Sequence, residues 1–206
     1  YISVTGVQTC ALPISGHAGY CELNYTPLLS NNKIDIQKAI QINTGFEFSL
    51  QYWSYLTKKY RSFNPEKFIK KVPHISLVNG RQNIAYLKKR YLALKNSSLF
   101  ETIEFTNNFK IIQKWIPLLK SKKLSKNYAA TKVESGTDIN FGEITSQLIS
   151  ILKTKKNFHL YTNHKVLKIN ENKDTSWAVR LNTKRKIKAK FIFIASGGNS
   201  IKLLQK

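Results

Sequence analysis
Methionine is absent from this sequence, cysteine occurs only twice, and acidic residues number 11 against 34 basic ones. The chain therefore does not open on an initiator residue. Cys10 lies in a head segment set aside below, which leaves Cys21 alone. A lone cysteine excludes an internal disulfide and any zinc-ligand spacing, and it fits a reducing compartment. Its simplest role is a small buried side chain rather than a reactive thiol. No apolar run approaches the roughly 18 residues that cross a bilayer, so any membrane association is expected to be peripheral. Arginine is also scarce: Arg61, Arg81, Arg90, Arg180 and Arg185 are the only five, beside 29 lysines. A net charge of +23 would ordinarily point to nucleic acid. Arginine, however, is the residue that grips phosphates and base edges bidentately. A lysine excess beside abundant Asn and Ile reads as drift toward AT-rich codons, with most lysines solvated and no nucleic-acid partner expected.

What is present suffices for a core, since 42% of residues are hydrophobic and 12% aromatic. The pattern predicts one continuous piece without a linker and without internal repeats. Residues 34–58 read as a long helix with Ile36, Ala39, Ile40, Phe46, Leu50 and Trp53 inward and Gly45 as its weak point. Residues 61–71 read as a basic loop, and 72–78 as a strand entered through proline. A second helix over 81–95 turns Ile84, Leu87, Tyr91 and Leu94 inward. A short strand near 103–105, a short helix ending at Pro117, a polar loop at 120–127 and a strand over 128–134 follow.

The stretch Gly136-Thr137-Asp138-Ile139-Asn140-Phe141-Gly142-Glu143-Ile144-Thr145 reads as a ligand-facing turn running into a capped helix. Asn140 suits the N-cap, with Glu143 reaching back as in a capping box. Ile144, Leu148 and Ile151 give that helix a core face, and Gly136 and Gly142 mark a sharp turn or a close approach. Short alternating runs at 158–161, 166–169, 177–181 and 187–189 predict antiparallel hairpins, with Lys186, Lys188 and Lys190 on one wet face. Residues 191–194 form a continuous apolar run, as in a strand buried on both faces. Gly197-Gly198 and a helix from about Asn199 then offer backbone N–H groups to a phosphate or flavin edge.

Four pieces carry a family resemblance. They are Gly16-His17-Ala18 with Glu22-Leu23-Asn24-Tyr25-Thr26-Pro27; Val72-Pro73-His74-Ile75-Ser76; the 136–148 stretch preceded by Ala129-Ala130-Thr131; and Phe191-Ile192-Phe193-Ile194-Ala195-Ser196-Gly197-Gly198 with Leu203-Leu204-Gln205. Together they resemble malate:quinone oxidoreductase over residues 16–206. The resemblance implies a mixed α/β (α+β) fold, a fragment of an FAD-binding domain of the D-amino-acid-oxidase-like flavoproteins with its substrate-domain insertion. It further implies FAD as cofactor, malate and a membrane quinone as partners, and a peripheral position on the cytoplasmic face of the inner membrane. Residues 4–15 read as a translated sequencing adapter. Residues 1–15 are therefore expected to be non-native, and 16–206 an internal fragment that lacks the upstream Gly-x-Gly-x-x-Gly unit and the C-terminal half. Such a fragment is expected to bind FAD poorly and not to turn over.

On this resemblance, Gly16, Val166 (through its backbone), Gly197 and Gly198 are the cofactor candidates. Malate oxidation needs a base for the hydroxyl proton as hydride leaves C2, and partners for two carboxylates. His17 and His74 are the candidate bases, each with a structural hydrogen-bonding role as the alternative. Lys132, at a position where the family often carries arginine, is a candidate for a substrate carboxylate, and Thr137 and Asp138 for other ligand contacts. Departures from the family are Ala195-Ser196 in place of Gly-Ala and Asn79 in place of Trp. The competing readings are a flavoprotein acting on another 2-hydroxy acid such as 2-hydroxyglutarate, a non-enzymatic basic binding module, and a decayed gene.

Overall fold
The computed structural model describes residues 18–119, 127–197 and 200–204. They form two compact units rather than one continuous piece, with the boundary between Asn140 and Phe141. It falls inside the 136–148 stretch, between its strand and its helix.

In the unit ending at Asn140, the long amphipathic pattern gives helix α1 (Gln37–Lys59), with Ala39, Asn43 and Leu56 buried. The supposed basic loop after it is ordered. Asn64 caps a 3-10 turn (Pro65–Lys67), and Ile69–Lys71 forms strand β1. A strand only three residues long and two-thirds lysine carries no period-2 signal, so the pattern missed it. Strand β2 (His74–Asn79) begins after Pro73, which has no N–H to give a ladder. Gly80, at φ 92, opens helix α2 (Arg81–Lys95). Strand β3 (Glu104–Thr106), helix α3 (Phe109–Trp115), strand β4 (Tyr128–Val133) and strand β5 (Thr137–Ile139) complete the unit.

β4 is the centre of an antiparallel sheet in the order β2-β4-β3, while β1 and β5 pair separately with Ile69 opposite Ile139. The predicted turn at Thr137–Ile139 is thus a strand, and Gly142 is the second residue of the next helix. Asn140 donates its backbone N–H to the Phe68 carbonyl at 2.7 Å, and the Glu143 carboxylate accepts from Gln147 at 2.8 Å. Apolar clusters hold the described part of the unit. Ala39, Leu94, Phe100, Ile103 and Val133 form one, with Tyr20 edge-on to Phe100 at 5.5 Å. Val78, Leu87 and Ala129 form another.

The unit from Phe141 onward comprises helix α4 (Phe141–Lys153), strands β6 (Val166–Glu171), β7 (Trp177–Leu181) and β8 (Lys186–Ala189), and helix α5 (Ser200–Leu204). The strands make an antiparallel meander in chain order, with the register shifted between Val166 and Lys168. Its apolar face is Val166, Val179 and Leu181, joined by Ile169, Ile187, Ile192 and Leu203.

Two expectations fail here. Residues 158–161 are not a strand. Nor are 191–194, where Phe191 and Phe193 are 73% and 72% exposed. An apolar run becomes a two-sided buried strand only between neighbouring strands, and the described residues supply none beside it. A cavity of about 390 Å³ lies against this run, lined by Ile169, Trp177, Phe191, Ile192, Ile194, Leu203 and Leu204. None of the described helices is long and apolar enough to cross a membrane.

Candidate functional site
His74 and the Gly136–Thr137 backbone form a tight junction in the first unit. β2 and β4 bring His74 opposite Val133, and the chain then turns at Glu134–Ser135 into β5. His74 Nε2 lies 3.0 Å from the Thr137 carbonyl oxygen, which can only accept, so Nε2 carries the proton. The other ring nitrogen, Nδ1, is buried without a hydrogen-bond partner among the described residues. Gly136 is buried against the ring. A Cβ there would sit 2.5 Å from His74 Cδ2 and closer still to the Val72 carbonyl oxygen. The Gly136 carbonyl also accepts from Val72 N–H at 2.8 Å. The glycine of the signature is therefore required by close approach, not by an unusual φ.

Lys132 stands on β4 opposite Ile75 of β2 and Glu104 of β3. Its side chain, 18% exposed, is ion-paired with Glu134, and its Nζ lies 5.7 Å from the centre of the Trp115 ring. It is a held cation rather than a freely solvated one. Thr137 and Asp138 are half-buried on β5, opposite Lys71 and Lys70 of β1.

The segment leading to Pro27 is bound to the helices by a polar network that sequence reasoning missed. Asn43, buried in α1, donates to the Ala18 carbonyl at 2.9 Å, and Ser76 donates to the Cys21 carbonyl at 2.8 Å. Tyr86 Oη lies 2.8 Å from the carbonyls of Leu23 and Thr26 and 3.0 Å from Thr26 Oγ1. Arg90 is fully buried. Its Nε donates to Thr26 Oγ1 at 2.8 Å and its Nη2 to the Tyr20 carbonyl at 2.7 Å, while Nη1 has no partner among the described residues. Burial pulls this guanidinium below its ordinary pKa. In the sequence Arg90 looks like one more polar helix position, since nothing local marks a basic residue as internal. Burial, with the Glu22 carboxylate adding to it, pushes the Cys21 thiol up to about 11. It stays protonated and unreactive at neutral pH.

His17 and Gly16 lie outside the described residues, as do Gly198 and the head segment 1–15. In the second unit, Val166 begins β6, an edge strand of its sheet. Gly197 is exposed at φ 54, with nothing within 4 Å of where a Cβ would stand. The structure thus joins His74 to Thr137 directly and puts Lys132 and Asp138 on the strands entering and leaving that junction. Val166 and Gly197 belong to the other unit.

Known proteins resemble this chain throughout. Residues 13–206 match the family described as malate:quinone oxidoreductase (Mqo). A probable malate:quinone oxidoreductase of Wigglesworthia glossinidia brevipalpis is 46% identical over 198 residues, covering 93% of this chain and 39% of the relative. One of Pectobacterium atrosepticum is 45% identical over 199 residues, covering 93% and 38%. The chain thus spans about two fifths of the length of these relatives. Among solved structures, the open form of NikD, an unusual amino acid oxidase, superposes with a TM-score of 0.61 at 13% identity, covering 87% of this chain and 40% of that one. A thermally stable fructosyl peptide oxidase mutant gives 0.61 at 14%, covering 96% and 43%. At such identities the likeness defines the fold alone, a mixed α/β part of the oxidase architecture. By the match over residues 13–206, the chain belongs to the malate:quinone oxidoreductase family.

Proposed function
We propose that the full-length protein oxidises (S)-malate to oxaloacetate in the citric acid cycle and passes the electrons through FAD to a membrane quinone. We propose further that it works as a peripheral protein on the cytoplasmic face of the inner membrane. The observation that carries this reading is the unbroken family match over residues 13–206, which takes in both units and every nominated site residue.

FAD, when bound, supplies the acceptor for the hydride that leaves malate C2. The groups proposed to hold it are Gly16, Val166, Gly197 and Gly198. Two features of the chain support that fit. Val166 stands on an edge strand, whose outer side offers backbone groups to a ligand. Gly197 takes a left-handed φ of 54 with open space at its α-carbon, so a ligand can approach the backbone closely.

For malate, Lys132 is the proposed partner of one carboxylate. Its present partner, Glu134, is 59% exposed and can swing aside for the substrate. Thr137 and Asp138 are proposed to line the same region. His17 is the proposed base for the hydroxyl proton. His74 is proposed to position rather than to abstract. Its Nε2 is committed to the Thr137 carbonyl and its Nδ1 is closed off from solvent, which leaves no nitrogen for a substrate proton.

The test is malate-dependent reduction of a soluble dye and of a ubiquinone analogue by the full-length protein, without NAD. Activity is expected with malate, and Lys132→Met is expected to raise KM for malate about tenfold or more, the loss of one charge-assisted contact. Turnover of 2-hydroxyglutarate in preference to malate, or no flavin-dependent activity at all, overturns the reading.

A further inference from the structure
α1 carries a second face that the fold does not use. Phe48, Tyr52 and Tyr55 recur at helical spacing and are 65%, 56% and 53% exposed. They lie across the helix from the buried Ala39 and Asn43, and the buried Leu56, one turn beyond Tyr52, borders the stripe. Lys59 continues the stripe. Its Nζ donates to Tyr55 Oη at 2.8 Å and sits 5.3 Å from the centre of the Tyr55 ring. In sequence the stripe is followed by a basic segment. Between positions 58 and 71 there are six cations, Lys58, Lys59, Arg61, Lys67, Lys70 and Lys71, against the single acid Glu66. That is more than twice the basic density of the whole chain, 34 in 206, so charge drift across the sequence does not account for it. All six are exposed.

A row of three large exposed aromatics is not the surface of a free-standing water-soluble helix. Its composition narrows the occupant. Tyrosines flanked by lysines are the residues that settle at the headgroup level of a bilayer, apolar ring inward and hydroxyl or ammonium toward the phosphates. A peripheral anchor of useful strength combines an apolar insertion with a polybasic patch, and both are present here. α1 is not apolar enough to cross a membrane, so it can meet lipid only by lying on it.

We propose that the Phe48–Tyr52–Tyr55 face of α1, with the basic segment at its C-terminal end, is the surface by which this protein docks on anionic phospholipid. The proposal rests on the quinone reading above, because an acceptor dissolved in the bilayer requires the enzyme to reach the lipid surface. It adds which surface does so.

The test uses full-length protein and vesicles of phosphatidylglycerol and phosphatidylethanolamine, with pure phosphatidylcholine vesicles as the comparison. Wild type is expected to float with the anionic vesicles. The triple variant Phe48→Ser/Tyr52→Ser/Tyr55→Ser is expected to lose at least tenfold in vesicle affinity. It is also expected to lose its rate with a long-chain quinone held in those vesicles, while malate-dependent reduction of a soluble dye stays unchanged. As a check that does not depend on a multiple variant, the fluorescence that Phe48→Trp adds to the wild-type tryptophan signal is expected to be quenched by brominated lipid. Unaltered flotation of the triple variant overturns the proposal. So does an unquenched Trp at position 48, which would assign the face to contact within the protein. Failure of the function reading has a separate signature, wild type that binds vesicles but reduces no dye with malate.

Discussion

At the scale of single residues, the site is set by one missing methyl group. Gly136 packs between the Val72 carbonyl and the His74 ring, and an alanine there would place its Cβ 2.5 Å from His74 Cδ2. Neither obstacle yields cheaply. Val72 donates its N–H to the carbonyl of Gly136 itself, and the ring is pinned by Thr137. Gly136→Ala is therefore expected to cost about 1–3 kcal/mol, the usual range for overpacking a tight site. Gly45 is the natural control, an exposed mid-helix glycine with nothing near its α-carbon. Gly45→Ala is expected to gain about 0.5–1 kcal/mol from helix propensity alone. Urea unfolding of the two variants side by side measures both. Equal and small effects would mean that the His74 ring moves aside and that the junction is not rigid. The sequence indicated that Gly136 mattered. It could not say why, because the atoms it meets lie more than 60 positions away along the chain.

At the scale of elements, what could be read in advance follows the length and the locality of the signal. α1 and α2 are long and amphipathic, and their expected spans agree with the structure to within a few residues. The meander was legible because the run in β8 alternates, β7 carries an apolar residue at every second position and the turns are polar. β1 and β5 were not, since each is three residues long and exists only through pairing with the other. Residues 158–161 show the converse failure: an alternating run with no partner does not become a strand. The meander also holds a strain that the sequence hid. Lys168, Arg180 and Lys186 stand directly opposite one another across three strands. Like charges in that position destabilise a sheet. Arg180→Glu would set one acid between two lysines and is expected to stabilise by about 0.5–1 kcal/mol. The gain should shrink as salt is raised toward 1 M, where the screening length falls to about 3 Å. Thermal melts across a salt series decide it, and a gain that is absent at low salt would show these side chains splaying apart in solution.

At the scale of the whole molecule, the second unit leaves its most apolar run without a cover among the described residues. The relatives are matched over about 39% of their length, and the apolar run at 191–194 is uncovered among the described residues. Ile192 is turned into the meander's core beside Leu203, whereas Phe191 and Phe193 stand in solvent. At roughly 25 cal/mol for each Å² of apolar surface, leaving two phenylalanines uncovered forgoes about 3–6 kcal/mol between them. The open cavity against the same run adds to the deficit. The elements proposed to hold FAD, β6 at Val166 and the turn at Gly197, flank this uncovered run in sequence, so cofactor binding and burial of the run should succeed or fail together. The 206-residue chain by itself is accordingly expected to bind a hydrophobic dye strongly and to elute from a desalting column without flavin absorbance. The full-length protein should show little dye binding and retain FAD. Were the isolated chain to keep flavin, the cofactor contacts on this chain alone would suffice, and the run at 191–194 would have to fold as a strand without neighbours beyond those described. Weak dye binding without flavin would point instead to self-association through Phe191 and Phe193, which light scattering at two concentrations separates from true burial.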